Sequence, residues 1–193
     1  MADDLKERVL EASVELIAEA GLAGLSMREV ARRAGVSHQA PYHYFEDKAA
    51  IVAALVERGF TRLAERLEEA AKKGTPQRKL ERAGRSYITF ALEEPVYFRL
   101  MFRPEWTDLS RFPAAEAAGA RAFAVLHGLV NDLAAPRTGS ARTEALVSMH
   151  WSLVHGLSTL LLDGPLARKL GDSEQRERHV DLVLRLFTDA TSG

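Results

Sequence analysis

The sequence predicts an all-α protein, on three observations. Apolar residues recur at helical spacing, as in Leu5, Val9, Ala12 and Leu16, then Ile51, Leu55, Phe60, Leu63 and Leu67. Alternating strand-like runs are absent. Capping residues, glycines and prolines divide the chain into segments of helical length.

Each expected element follows from its own signals. The first helix runs from about 4 to 20 and stops at Gly21. Ser26-Met27-Arg28-Glu29 then reads as a capping box, in which the Ser26 hydroxyl accepts from the Glu29 amide and the Glu29 carboxylate reaches back to the Ser26 amide. That opens a short helix to Ala34, which Gly35 terminates in a left-handed conformation, and Ser37 caps a further short helix ending near Phe45. Asp47 caps a long helix to Lys72 or Lys73, before Gly74. Thr75-Pro76 opens a helix that Pro95 closes. A short helix over 96–102 precedes an irregular link, 104–113. A helix over 114–134 ends before Pro136, and Arg137-Thr138-Gly139-Ser140 is a polar turn. Two last helices, 141–162 and 173–190, are separated by Asp163-Gly164-Pro165 and a short linker. The total is about nine helices, three of them within the first 45 residues.

Composition narrows the function classes. The chain has 193 residues, 47% apolar, with 26 Lys+Arg against 27 Asp+Glu and a net charge of -1. That apolar content and balanced charge argue for a packed core and against disorder, and near neutrality argues against coating nucleic acid by bulk charge. Cysteine is absent, which removes disulfides and thiolate chemistry. The acidic start, Met1-Ala2-Asp3-Asp4, lacks the basic region of a secretory signal, and no run approaches the roughly 18 apolar residues of a membrane span. The expected location is the cytoplasm, with no membrane partner.

The first 45 residues carry the clearest functional pattern. Two short helices joined by a tight Gly-containing turn, after a longer helix, have the proportions of a helix-turn-helix. The residues following Ser37 then face base edges. Gln39 can bond bidentately to adenine, His38 can donate to guanine, and the Ala40 methyl suits a thymine methyl. Phosphate ligands flank them: Ser26 and Arg28 at one end, Tyr42 and His43 on the helix, Lys48 at the other. Phe45 and Tyr44 are expected in the core. Pro41 biases Ala40 away from helical geometry, so the helix start stays open, and with it which of His38, Gln39 and Ala40 reaches bases.

Residues 26–48, SMREVARRAGVSHQAPYHYFEDK, resemble the helix-turn-helix of TetR-type transcriptional regulators in the Ala-Gly-Val-Ser turn, the Tyr-x-Tyr-Phe pattern and the following lysine. The resemblance implies an all-helical homodimer with a DNA-binding head, here 1–46, on a larger ligand-binding and dimerisation body, 47–193. It also implies repression relieved by a small molecule. The head is not basic overall, since residues 1–50 hold six Lys/Arg and nine Asp/Glu, a balance of -3 (six minus nine). The acids concentrate in the first helix, where Glu11, Glu15 and Glu19 are candidates for suppressing non-specific DNA binding.

In the body, His150-Trp151-Ser152-Leu153-Val154-His155-Gly156, with Tyr87-x-x-Phe90-Ala91 and 97–102 upstream, resembles the C-terminal domain of a TetR-type subgroup named for a Trp-His-Gly signature. Trp151 and His155 share a helix face, whereas His150 and His155 lie about 140° apart, which counts against a metal site on this helix alone. Tyr87, Phe90, Met101, Phe102, Trp106, Phe123, His127, Trp151 and His155 are the candidates to line an effector cavity, against the alternative that most of them are ordinary core. No cofactor or metal is expected. Combining Ser148, Ser152 or Ser158 with a histidine and Asp163 fails as a catalytic reading, because a continuous helix offers no free amides for an oxyanion hole.

The last two helices carry more apolar surface than one seam needs. Ser148, Ser152 and Gly156 form a small-residue ridge, and Val180, Val183, Leu184 and Phe187 are joined by Leu182 and Leu186. Two copies would make a four-helix interface about a two-fold axis. The sequence therefore points to a homodimeric regulator of a double-stranded DNA operator, most plainly a repressor, responding to an unidentified small molecule. A small-molecule or metal-binding module without DNA and a helical enzyme are the competing classes.

Overall fold

The computed structural model describes residues 2–103, 106, 108–134 and 139–191. Among them the regular structure is helical, with nine α-helices: α1 (Ala2–Ala20), α2 (Met27–Arg33), α3 (Lys48–Ala70), α4 (Pro76–Glu93), α5 (Pro95–Met101), α6 (Pro113–Leu133), α7 (Ser140–Leu162), α8 (Pro165–Leu170) and α9 (Ser173–Thr191). Residues 137 and 138 of the expected polar turn, and Pro104, Glu105 and Thr107 of the expected link, lie outside the described residues. The rest of that link contains a 3-10 turn, Leu109–Arg111, capped by the Asp108 carboxylate on the Ser110 amide at 3.1 Å.

The chain forms two compact units. The first comprises Met1–Phe60 and Val96–Gly119, the second Thr61–Pro95 and Ala120–Gly193. The first is centred on Val9, Leu10, Val30, Ile51, Val52 and Leu55, all essentially inaccessible to solvent. Gly59 lets α5 approach α3, since a Cβ there would stand 2.6 Å from Met101 Sδ and 3.2 Å from Tyr97 Cβ. Arg58 adds an ion pair to Glu7 of α1, with Nη2 at 2.7 Å from Oε2.

In the second unit α4 packs against both α7 and α9. Gly84 sits where the three meet: a Cβ would lie 2.8 Å from Leu184 and 3.3 Å from Val154. Arg62 and Arg66 of α3 pair with Glu94 and Glu93 at the end of α4, and Arg121 of α6 pairs with Glu68 of α3.

Two elements differ from the sequence expectation. The helix expected after Ser37 is a 3-10 turn, Ala40–His43. Pro41 has no amide proton, so the Ala40 amide closes on Ser37 and the Tyr42 amide on Gln39, each three residues back. The cap position falls to Gln39, which makes no side-chain cap, rather than to Ser37. The second difference is α8, expected as a linker. Gly164 (φ 90°) and Gly171 (φ 81°) bracket it in conformations that favour glycine, and Pro165 supplies a preset first helical residue. In addition, α7 is long and apolar enough to cross a membrane, where no such run was expected. Part of that apolar surface lies against α4.

Candidate DNA-binding face and effector site

The head is built around the turn between α2 and the 3-10 segment. Ser26 caps α2 through the Glu29 amide at 3.2 Å. The other half of the expected box is replaced: the Glu29 carboxylate takes Arg32 Nε at 3.0 Å, one turn along, and Arg32 holds that carboxyl below its ordinary range. At the far end the Val36 amide reaches the Ala31 carbonyl (3.0 Å) and the Gly35 amide reaches Arg32 (3.2 Å), with Gly35 at φ 65°. This is a Schellman closure. Arg8 of α1 then donates to the Ala34 carbonyl at 2.5 Å, placing a cation on the negative end of α2. Sequence reasoning missed Arg8, because its partner is a main-chain oxygen 26 residues away.

On this scaffold Ser37, His38, Gln39, Tyr42 and His43 are exposed, and the His38 and Tyr42 rings lie 6.0 Å apart. Ser26 and Arg28 are exposed at the start of α2. Ala40 is buried with Pro41, so its methyl packs inward and is not offered to a thymine. Phe45 is in the core and Tyr44 is half-buried. Lys48 has an internal duty: its Nζ donates to the Leu22 carbonyl at 2.7 Å, tying α3 to the chain after α1. An ammonium has two further donors, so this bond leaves capacity for a phosphate.

The arginines of α2 divide in the same way. Arg33 donates to Glu19 at 2.8 Å and to Glu15 at 3.3 Å, bonds that raise its pKa and lower that of Glu19. Arg32 is held by Glu29. Arg28 forms no ion pair among the described residues.

The effector candidates fall in both units. In the first, Met101 is packed at Gly59, Phe102 stacks edge-on to Phe60 and Phe98, and Trp106 lies under the Arg103 guanidinium. In the second, Phe90 is 0% exposed, a core residue with Arg66 over its ring. His127 is partly exposed and faces Glu144 at 3.1 Å.

Tyr87, Trp151, His155 and Phe123 do come together. The buried Tyr87 hydroxyl lies 2.9 Å from His155 Nδ1 and hydrogen-bonds the Trp151 indole. Indole N–H can only donate, so the phenol accepts from Trp151 and donates to His155, leaving the imidazole proton on Nε2. Burial pushes the phenol's pKa up and that of His155 down, keeping both neutral. Trp151 also stacks edge-on against Phe123, with centroids 6.0 Å apart. His150 points elsewhere: Nδ1 faces the Leu146 carbonyl at 2.8 Å and its ring packs on Phe187 of α9. Among the described residues no three His, Asp or Glu side chains converge as metal ligands.

Comparison with known proteins places both parts. Residues 9–55 match the bacterial regulatory proteins of the tetR family, and residues 80–187 match the tetracyclin repressor-like C-terminal domain. The HTH-type transcriptional repressor Rv3405c of Mycobacterium tuberculosis is 31% identical over 83 residues, 43% of this chain and 44% of that protein. The match thus spans less than half the length of that relative. A solved structure from Rhodococcus sp. RHA1, a protein of unknown function, superposes with a TM-score of 0.79 at 27% identity, covering 97% of this chain and 93% of that one. FadR from Bacillus subtilis, solved with stearoyl-CoA, shares the fold at a TM-score of 0.73 and 16% identity, covering 97% of each chain. With an N-terminal match over the helix-turn-helix and a C-terminal match over more than half its length, the chain belongs to the TetR family of bacterial regulatory proteins.

Proposed function

We propose that the protein is a cytoplasmic, homodimeric DNA-binding repressor released from its operator by a small molecule, with 1–46 as the reading head and 47–193 as the effector and dimerisation domain. The observation that carries this is the exposed His38-Gln39 pair, set outward by a turn that the Schellman closure and Arg8 hold rigid. Direct readout needs such side chains in a fixed frame. Gln39 and His38 read base edges. Ser26, Arg28, Ser37, Tyr42, His43 and the spare donors of Lys48 meet phosphates. The transcriptional repressor among the relatives supports the sign of regulation.

The effector contacts fall to Tyr87 and His155 as a neutral polar handle, with Trp151 and Phe123 as the adjoining apolar surface. The FadR structure with stearoyl-CoA supports the idea that a bundle of this fold takes up a small molecule. The Trp-His-Gly subgroup reading rests on the same Trp151 and His155. No residue is assigned a catalytic role.

The dimer reading rests on α7 and α9. α4 covers one side of both, yet Met149, Leu160, Leu182 and Leu186 remain exposed. A Cβ on Gly156 would meet nothing within 4 Å, so packing within the chain does not require that glycine.

Fluorescence anisotropy with the gene's own upstream DNA tests the function. The expected result is saturable, sequence-selective binding at near-physiological salt that weakens steeply as salt rises. Affinity no better than for random DNA under those conditions would refute it.

A further inference from the structure

We propose that Arg111, on the link between α5 and α6, is a DNA-backbone ligand that completes the phosphate contact at the start of α3, an inference that rests on the DNA-binding reading above. Arg111 is far from the helix-turn-helix in sequence, yet Val96–Gly119 belongs to the same compact unit as Met1–Phe60. Its guanidinium Nη2 stands 3.9 Å from the carboxylate of Asp47, the residue directly before Lys48. The link thus brings a cation to the point where the 1–46 head joins α3.

Charge explains why a cation is needed there. Lys48 follows Glu46 and Asp47, two acids against one base. A phosphate approaching Lys48 meets carboxylates that repel it, and Lys48 already gives one donor to the Leu22 carbonyl. Asp47 cannot turn away without cost, since its Oδ1 caps the Ala50 amide at 2.8 Å. Arg111 stands beside the other oxygen, Oδ2, and offsets its charge.

Arg111 is oriented there without being consumed. A contact of 3.9 Å is the outer limit of an ion pair, the two side chains are 56% and 47% exposed, and pairs of that kind contribute little. The Phe112 ring lies 5.4 Å from the guanidinium and supports one face of it. Asp108, which begins this turn, spends its carboxylate on the Ser110 amide and hydroxyl, at 3.1 Å and 2.7 Å. The main chain is set as well, with the Arg111 amide closing on Asp108 at 3.3 Å and the Phe112 amide on Leu109 at 2.8 Å. Among the described residues the guanidinium itself makes no hydrogen bond. Its donors stay open to a phosphate, which a planar fork grips bidentately.

The test is fluorescence anisotropy of the full chain on the gene's own upstream DNA and on a random duplex, across a salt series, with Arg111→Gln, Arg111→Lys and Asp47→Asn beside the wild type. Asparagine keeps the helix cap that Asp47 provides. Arg111→Gln is expected to weaken binding to both duplexes about three- to tenfold at near-physiological salt and to lower the salt slope by about 0.9, the share of one phosphate, while Arg111→Lys keeps the slope. Asp47→Asn is expected to tighten binding, because it removes a repelling charge and releases the guanidinium. If the pair only ties the link to the head, Arg111→Gln and Asp47→Asn break the same tie and weaken binding together, which overturns the proposal. An Arg111→Gln slope within about 0.3 of the wild type overturns it as well. Should Arg111→Gln not fold, the sign of the Asp47→Asn effect decides. A wild type that binds neither duplex overturns the regulator reading and this one together, whereas the failures above, on a wild type that binds, overturn the role of Arg111 alone.

Discussion

Gly84→Ala asks how closely α4, α7 and α9 approach one another. The added methyl would stand 2.8 Å from Leu184 Cδ2 and 3.3 Å from Val154 Cγ1, inside the 3.5–4.0 Å at which carbon atoms attract. Both neighbours are buried, so neither can swing into water. Overpacking of this kind costs about 1–3 kcal/mol, whereas alanine improves an interior helix position by about 1 kcal/mol. Gly128→Ala on α6 carries the same helix gain without the clash, because a Cβ there has no neighbour within 4 Å. Gly128→Ala should therefore raise the melting temperature by roughly 2–4 °C. Gly84→Ala should fall below Gly128→Ala by about 2 kcal/mol, or roughly 4–8 °C. The difference cancels the propensity gain and isolates packing. Urea and thermal unfolding followed by circular dichroism, at one protein concentration for all variants, measures it. Equal stabilisation by the two substitutions would show that α4 does not meet α7 and α9 as closely as the structure has it.

Three further outcomes are expected. Gln39→Ala should weaken operator binding selectively and Arg28→Ala should weaken binding to every DNA, while Lys48→Ala should do the latter and also lower the melting temperature, since it abandons the Leu22 carbonyl; anisotropy and calorimetry on the same variants check this. Acidification should destabilise the fold: burial lowers the pKa of His150 and His155 in the folded state, so their contribution is complete above the unfolded value of about 6.5 and is lost as pH falls below it. Urea midpoints between pH 8 and pH 5 should show that loss, and His150→Gln should reduce it. The paired substitutions Glu15→Gln and Glu19→Gln release Arg33 from α1, and should raise affinity for random DNA and steepen its salt dependence; unchanged random-DNA binding would remove α1 as a brake on non-specific association.

Much of the fold is legible locally because helix ends are decided within a few residues. Ser26, Asp47 and Thr75 cap the helices they precede, through amides three residues on, and Gly35 takes the left-handed conformation that its place after α2 anticipates. α8 was hidden because two glycines with a proline between them read as a linker, and six residues are too few for a periodic pattern. In the recognition segment Pro41 was visible, but not its outcome: a turn closed at three-residue intervals with Ala40 turned inward. The fate of Lys48 was equally hidden, since a basic residue beside a helix-turn-helix reads as a phosphate ligand until its carbonyl partner appears from distant sequence.

The sequence by itself determined the helical class, most helix boundaries and the family-specific turn at 34–37, since capping, periodicity and glycine conformation act over three or four residues. Tertiary structure alone decided which side chains are spent inside the molecule and which remain available. It sends Phe90 to the core, joins Tyr87 to His155 and Trp151, and leaves Phe123 and the outer faces of α7 and α9 uncovered. Burial and pairing depend on neighbours brought together from dozens of residues apart, and no local pattern records which neighbour arrives.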